Sequence, residues 1–470
     1  MRSDSVKGFE SNFNKNDNSI DFHIKEVEEP NLYRDLFPYS EIPKVKFDGK
    51  AVEMDLPEDI WITDTTFRDG QQSMTPFKVE QIVRLFNYLH ELDNNSGIIR
   101  QTEFFTYTNR DIKALEECMA LGYKFPEITT WIRANKDELA RVKELGVKET
   151  GMLMSCSDYH IFKKLKLNRQ GAFNKYVSVV EKALEYGIVP RIHLEDITRA
   201  DFFGFVVPFV NKLMDLSRQS GIQVKIRACD TLGMGISYAC TAVPRSIQKI
   251  ISGLKKYCNV PSSALEWHGH NDFYNVVSGS STAWLYGCSS VNTTLLGIGE
   301  RTGNCPLEAM VMEYGQIKGN TKNMNLHVIT EVANYFCSTM GYDIPVRTPF
   351  VGSDFNVTRA GIHADGILKD EEIYNIFDTN KILDRPVVVA VNEYSGLAGI
   401  TAWINTYFKL SGSDKISKRD ERVAELKEWV DSQYENGRST AISNKELELV
   451  VKRTFPELMY VEGSCVGYNK

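Results

Sequence analysis

Several features are missing from this chain of 470 residues. No run of about 18 apolar residues offers a membrane-spanning helix. The opening Met1-Arg-Ser-Asp-Ser lacks the apolar core of a secretory signal. There is no excess of positive charge: the net charge is −7, so the chain carries no global basic footprint for nucleic acid. The nine cysteines are scattered, odd in number and never spaced Cys-x-x-Cys. That pattern argues against a disulfide framework and predicts buried thiols in a reducing compartment. The expectation is a cytoplasmic protein with no nucleic-acid partner and no membrane.

What is present is ordinary in bulk and specific in pattern. The hydrophobic fraction is 42% and the charged fraction 25%, within the range of a globular protein long enough for a large core and more than one domain. Residues 1–55 are polar and irregular and predict an N-terminal arm. From Ile60 short β-rich runs alternate with helical patterns. The predicted strands are Ile60–Thr65, Ile98–Glu103, Glu127–Trp131, Glu149–Met154, Ile188–Leu194, Ile222–Cys229, Ala264–His270 and Ser290–Leu295. Between them lie helical stretches such as Lys78–Leu92, Phe173–Tyr186, Asp201–Ser217 and Thr241–Tyr257. This predicts an α/β fold, a (β/α)8 TIM barrel over residues 56–320. A doubly wound sheet uses the same alternation, and the count of eight favours the barrel. Residues 321–470 predict mainly helical C-terminal subdomains, in which Ser443-Asn-Lys-Glu446 reads as a capping box. Glu421–Tyr434 carries an apolar stripe through Val423, Leu426 and Val430, and Lys415–Arg422 reads as a solvated linker.

Polar motifs collect at the C-terminal ends of the predicted strands, which is the catalytic face of a barrel. Strand one ends in Asp64-Thr-Thr-Phe-Arg68-Asp69-Gly70-Gln71-Gln72, and strand five in Arg191-Ile-His193-Leu-Glu195-Asp196. Strand six ends in Asp230-Thr231, and strand seven in His268-Gly-His270-Asn271-Asp272. Strand eight leads into Gly297-Ile-Gly299-Glu300-Arg301-Thr-Gly303-Asn304. The two histidines, two residues apart, share one strand face, and with Asp69 they form a candidate divalent-metal site with open positions. Asn304 is a candidate to add a carbonyl oxygen or to orient a ligand. Such a site would let a 2-oxo acid chelate through its keto and carboxylate oxygens, with the metal acting as a Lewis acid. Taken singly, Arg-Asp-Gly is a common turn, Gly-x-Gly a common tight loop, and His-x-His a coincidence as often as a metal motif.

Together these motifs resemble the metal-dependent Claisen-condensing synthases, the family of isopropylmalate, homocitrate and Re-type citrate synthases. The resemblance covers roughly residues 55–460. It implies that acetyl-CoA is joined to a 2-oxo acid and the thioester hydrolysed. It implies a divalent cation on Asp69, His268, His270 and, as a neighbour, Asn304, with Mn2+ favoured over Mg2+, Co2+ and Zn2+. Arg68 resembles the cation near the keto oxygen and the acetyl-CoA enolate, and Thr231 the threonine that binds the oxo-acid carboxylate. Glu195 and Glu300 resemble active-site carboxylates, while Gln72 and Glu103 are further candidates for substrate binding. Gly361-Ile-His363-Ala-Asp365-Gly366 resembles a segment whose histidine acts as base from the partner subunit of a homodimer. Two departures stand out. Gln71 replaces a more usual acidic residue, and no leucine-binding regulatory domain of the isopropylmalate-synthase kind is expected.

Arg191, His193 and Glu195 share one strand face by alternation. If that face lines the barrel mouth, Arg191 and His193 suit a second carboxylate, and a branched aliphatic oxo acid would leave a costly buried arginine. Homocitrate synthases carry a similar arginine followed two residues later by a smaller serine, the position of His193 here. His193 shortens the pocket and favours oxaloacetate over 2-oxoglutarate. The alternative is that Arg191 pairs with a protein carboxylate such as Glu103, Glu195 or Asp196. Other classes on the same barrel have less support. A biotin-dependent carboxyltransferase needs a lysine at a strand end and a carrier motif that are not seen. A non-haem iron oxygenase shares only the two-histidine, one-carboxylate set.

Overall fold

In the computed structural model eight parallel strands close into a barrel in the order β1-β2-β3-β4-β5-β6-β7-β8. They are β1 (Trp61–Asp64), β2 (Ile99–Phe104), β3 (Glu127–Arg133), β4 (Glu149–Ser155), β5 (Val189–Glu195), β6 (Lys225–Asp230), β7 (Leu265–Gly269) and β8 (Ser290–Thr293). The intervening helices are α1 (Val79–Asp93), α2 (Asn109–Ala120), α3 (Lys136–Glu144), α4 (Arg169–Glu185), α5 (Val207–Ser220), α6 (Ile247–Cys258) and α7 (Val276–Leu285), and α8 (Leu307–Lys318) follows β8. The expected TIM barrel is borne out, strand for strand. The structure describes residues 22–359, 361–440 and 442–461. The part of the expected polar arm that falls on 1–21 lies outside the described residues.

Helix starts differ from the sequence expectation where a local cap decides them. Asn168 caps α4 by accepting from Gly171 N, so that helix begins four residues before Phe173. The stretch predicted as a helix from Thr241 turns helical at Ile247, where Ser246 accepts from Lys249 N and Pro244 lies just upstream without an N–H. The stretch from Asp201 opens with a π-type turn, Phe202–Val206, before α5.

Alternation along the strands separates two environments. Ile62, Ile192, Leu194, Ile226, Ala228, Trp267 and Val291 are fully or almost fully buried. They alternate with Thr63, Arg191, His193, Arg227, Glu266, His268 and Asn292, which are buried and polar. Each apolar side chain of this kind contributes about 1.5–3 kcal/mol by leaving water. The polar series faces the barrel interior, and the registers stack it in rows. Ser155, Glu195, Cys229, His268, Asn292 and Thr63 are successive partners across β4, β5, β6, β7, β8 and β1. One row deeper come Leu153, His193, Arg227, Glu266 and Ser290, and below these Gly151, Arg191 and Lys225.

The chain divides into two compact units. One contains the described residues of Met1–Pro76, Gln101–Glu116 and Glu127–Cys305, and the other those of Phe77–Arg100, Glu117–Pro126 and Pro306–Lys470. In the second unit α9 (Val328–Ser338) packs on α1, with Tyr88 and Tyr335 rings 5.8 Å apart. Beyond α9 the chain forms α10 (Gly361–Lys369), α11 (Thr379–Leu383), α12 (Leu397–Tyr407), α13 (Glu421–Glu435) and α14 (Asn444–Thr454). Two short parallel strands, Val357–Thr358 and Val388–Val389, join them. The apolar stripe of α13 is buried at Val423, Leu426 and Val430 against Trp403, Ile404, Leu447 and Val451. The capping box forms at Ser443 and Glu446. The eight cysteines among the described residues are free thiols, and Cys305 is fully buried as expected. No described helix is long and apolar enough to cross a membrane.

Candidate active site

Directly after β1 the chain makes a single π-type turn, Thr66–Gly70, and all five of its residues are buried. Thr65 O accepts from the backbone N–H groups of Arg68 (3.1 Å), Asp69 (2.8 Å) and Gly70 (3.1 Å). The Asp64 carboxylate accepts from Thr66 N at 3.1 Å and from the hydroxyls of Thr66 and Thr102. A side chain at Gly70 would meet Ile298 at 3.0 Å, so glycine lets the turn seat closely. This wide turn delivers Arg68 and Asp69 to the top of the barrel. Arg68 donates Nε to Glu103 at 2.8 Å and Nη1 to Asp69 at 3.0 Å, and its guanidinium lies 5.4 Å from the centroid of the Trp131 ring.

Asp69 meets His268 of β7 and His270, which directly follows that strand. His268 Nε2 is 3.6 Å and His270 Nε2 3.8 Å from Asp69 Oδ2, and the two Nε2 atoms are 3.3 Å apart. Among the described residues this is the one group of three or more His, Cys, Asp or Glu side chains placed to share a metal ion. Three atoms spaced in this way fit one cation at about 2.1 Å from each. The surroundings fit as well. His268 Nδ1 lies 2.8 Å from Asn292 Oδ1, which assigns the proton to Nδ1 and leaves the Nε2 lone pair facing the cluster. Asn304 donates Nδ2 to Asp69 at 2.7 Å, while its buried Oδ1 has no hydrogen-bond partner among the described residues. Gly299 makes room for that amide, since a Cβ there would lie 1.9 Å from Asn304 Oδ1.

Electrostatics favour the ligand forms. Burial would raise the Asp69 carboxyl, but the Arg68 guanidinium and the hydrogen bond from Asn304 hold it below the ordinary carboxylate range. Burial lowers His268 to about 3 despite the nearby Asp69, and lowers His270 as well. Both imidazoles are therefore neutral at physiological pH, as a metal ligand must be.

A row deeper, Glu103 is fully buried and accepts from three arginines: Arg68, Arg191 Nη2 at 2.8 Å and Arg227 Nη1 at 3.1 Å. Burial opposes its ionisation, and Arg227, Arg68, His193 and Arg191 outweigh burial, so it stays a carboxylate. Arg191 also donates to Glu149 (2.9 Å), Gln101 (3.1 Å) and Thr129 (3.1 Å). The alternative pairing with Glu103 is thus realised, and both terminal nitrogens of Arg191 are engaged by the protein. His193 Nε2 lies 3.4 Å from Glu103 and has no hydrogen-bond partner among the described residues.

At the mouth, Glu195 accepts from the Ser155 hydroxyl, His160 Nδ1 at 3.0 Å and Lys164 Nζ at 3.1 Å. Burial opposes this carboxylate, but His160, Ser155 and Lys164 bring it down to about 2. Thr231 Oγ1 accepts from Asp196 N at 2.9 Å. Gln72 and Glu300 are exposed on their loops, and His363 is exposed on α10 of the second unit, its ring 4.3 Å from that of Tyr374. Sequence reasoning gave no role to Arg227, Glu266, Glu149, Asn292 or His160. Their one signal was a polar or charged residue within or just after a buried strand.

Residues 59–336 match the HMGL-like family. The chain belongs to that family. Among curated relatives, a citrate (Re)-synthase of Clostridium kluyveri is 65% identical over 94% of this chain and 97% of its own length. A citrate (Re)-synthase of Syntrophus aciditrophicus is 50% identical over 93% of this chain and 70% of its own. A 2-phosphinomethylmalate synthase of Streptomyces hygroscopicus is 37% identical over 92% of this chain and 98% of its own. The resemblance to the Claisen-condensing synthases is borne out by these relatives.

Proposed function

We propose that the chain is itself a citrate (Re)-synthase: it condenses acetyl-CoA with oxaloacetate and hydrolyses the product thioester to citrate and CoA. The observation that carries this is the 65% identity to a curated citrate (Re)-synthase over nearly the full length of both chains. Interior charge agrees with a dicarboxylate. Arg68, Arg191, Arg227 and Lys225 are paired with Asp69, Glu103, Glu149 and Glu266, four charges of each sign. A divalent ion adds two positive charges, and the dianion of oxaloacetate offsets both.

Asp69, His268 and His270 would hold the divalent ion, Mn2+ in this reading, with Asn304 holding Asp69 in place. Bound there, the ion supplies Lewis-acid polarisation of a 2-oxo carbonyl. Arg68, fixed between Asp69 and Glu103, presents a permanent cation where negative charge develops on the keto and enolate oxygens. The acetyl methyl gives a proton to a base, for which we assign His363 of the partner subunit in a homodimer. The resulting carbon nucleophile forms the new bond to the keto carbon, and the alkoxide takes back the proton that the base removed from the acetyl methyl. Glu195, ionised and bonded to His160, would accept a proton from the water that attacks the thioester and releases CoA as a thiol. Thr231 retains an O–H to donate to the oxo-acid carboxylate. The same reading places the enzyme in the cytoplasm.

The test is thiol release from acetyl-CoA with oxaloacetate, 2-oxoglutarate or 2-oxoisovalerate, after chelation and after Mn2+ is restored. Oxaloacetate with Mn2+ should release CoA and the other two acids should not. Turnover of either of those acids with none on oxaloacetate would overturn the assignment.

A further inference from the structure

The interior rows point to a different anchor for the distal carboxylate of the substrate than the arginine that strand alternation first suggests. Arg191 is four residues before Glu195 and shares its row with Gly151 and Lys225. That is two rows, about 13 Å along the strand, below the row that holds Glu195, Cys229 and His268. Its two terminal nitrogens are already bonded to Glu103, Glu149, Gln101 and Thr129, and its Nε, which has no hydrogen-bond partner among the described residues, lies 3.7 Å from Glu266. In oxaloacetate the second carboxylate is two bonds from the keto carbon, so its receptor must lie close beneath the ligand row.

Arg227 satisfies this. It sits on β6 two residues before Cys229, the register partner of His268, and so one row, about 6–7 Å, below the ligand level. It is fully buried. Its Nε is held by Glu266 and its Nη1 by Glu103, whereas its buried Nη2 has no hydrogen-bond partner among the described residues. Its register partner on β5 is His193, whose buried Nε2 is likewise unpartnered. Two orphaned polar atoms on facing residues of one interior row are an unusual cost, since buried polar groups are nearly always bonded. Gly151 keeps the space: a Cβ there would stand 2.5 Å from His193 Nε2 and 2.9 Å from Glu103 Oε1.

We propose that Arg227 Nη2 and His193 Nε2 together receive the carboxylate of oxaloacetate that lies farther from the keto group. Arg227 is then the residue that separates oxaloacetate from 2-oxo monocarboxylates, while Arg191 holds Glu103 and Glu149 from below. This assignment rests on the citrate-synthase reading.

The experiment compares oxaloacetate with pyruvate, which is the same 2-oxo acid without the distal carboxylate. Full-length wild type, Arg227→Gln, Arg227→Lys and Arg191→Lys are assayed for CoA release with Mn2+. Equilibrium binding of oxaloacetate is measured by calorimetry, and thermal melting controls for folding. Loss of one charge-assisted hydrogen bond should raise the KM and Kd for oxaloacetate roughly 10- to 100-fold in Arg227→Gln. The Kd for pyruvate, measured in the same way, should stay within about threefold, and Arg191→Lys should leave the oxaloacetate-to-pyruvate Kd ratio intact. Arg227→Lys keeps the charge and guards against a Gln variant that fails to fold; it should shift the ratio in the same direction. A ratio unchanged in the folded Arg227 variants, or one altered in Arg191→Lys alone, overturns this assignment and leaves the enzyme a citrate synthase. A wild type that releases no CoA from oxaloacetate overturns both.

Discussion

Three guanidinium groups converge on one carboxylate at Glu103, a residue with no exposure to solvent. Desolvating that many ions costs more than a hydrophobic filling of the same volume, so the cluster is poorly explained as a stabilising device. It is better explained as a scaffold that holds Arg68 beside Asp69 and Arg227 beneath the ligand row. Removing one partner from such a set leaves buried charge uncompensated. Glu103→Gln should therefore lower unfolding free energy by about 3–5 kcal/mol, read from urea denaturation, and should reduce activity through the loss of Arg68 positioning. A change below about 0.5 kcal/mol would mean that the arginines find other partners. This scale was the hardest to read from sequence. Asp69, His268 and His270 were legible because polar motifs recur at the ends of several strands, which a barrel brings to one face. Arg227 and Glu266 were not, because a charged residue in a strand reads equally well as facing solvent. Which face is inside becomes definite once eight strands close.

At the scale of elements, the strands carry the design and the turns refine it. Their number and order were legible because apolar residues recur at every second position along runs bounded by turn residues. Strand ends moved by at most three residues, whereas helix starts moved by four at Asn168 and six at Ser246, where a cap or a proline outweighed the periodic signal. The π-type turn Thr66–Gly70 was not legible: Arg-Asp-Gly predicts an ordinary tight turn, whereas the observed one is widened by Thr65 O accepting three N–H groups. Strand β4 shows how an element sets pocket depth without supplying a ligand. Gly151 lies beside Arg191 in the register, and any Cβ there would overlap the His193 ring and the Glu103 carboxylate. Gly151→Ala should cost about 1–3 kcal/mol of stability by overpacking. It should also raise the KM for oxaloacetate more than the KM for acetyl-CoA, because the displaced groups lie below the oxo acid. Equal shifts in both KM values would argue that β4 acts on the whole barrel rather than on the pocket.

For the molecule as a whole, the ligand set joins the first strand end to the seventh, with Asn304 following the eighth. Asp69 and the two histidines are separated by about two hundred residues of chain, and all lie within the first compact unit. A cation bound by all three therefore binds the closed barrel and not the unfolded chain, and its binding energy adds to folding stability. At a hundredfold excess over Kd the gain is about 2.7 kcal/mol. For a barrel of this size that corresponds to a rise in melting temperature of roughly 5 °C. Calorimetric melting in EDTA and again in excess Mn2+ should show this rise in the transition that belongs to the barrel. Asp69→Asn removes the charged ligand but keeps the hydrogen bond to Asn304 within reach, so the variant should fold and lose the shift. The histidines are held neutral by burial, so protons do not compete with the cation in mildly acidic buffer. The Mn2+-induced rise should accordingly persist from pH 7.5 to about pH 6, below the usual histidine pKa of about 6.5. A wild type that melts at the same temperature with and without Mn2+, or an Asp69→Asn variant that keeps the full rise, would place the metal elsewhere or nowhere.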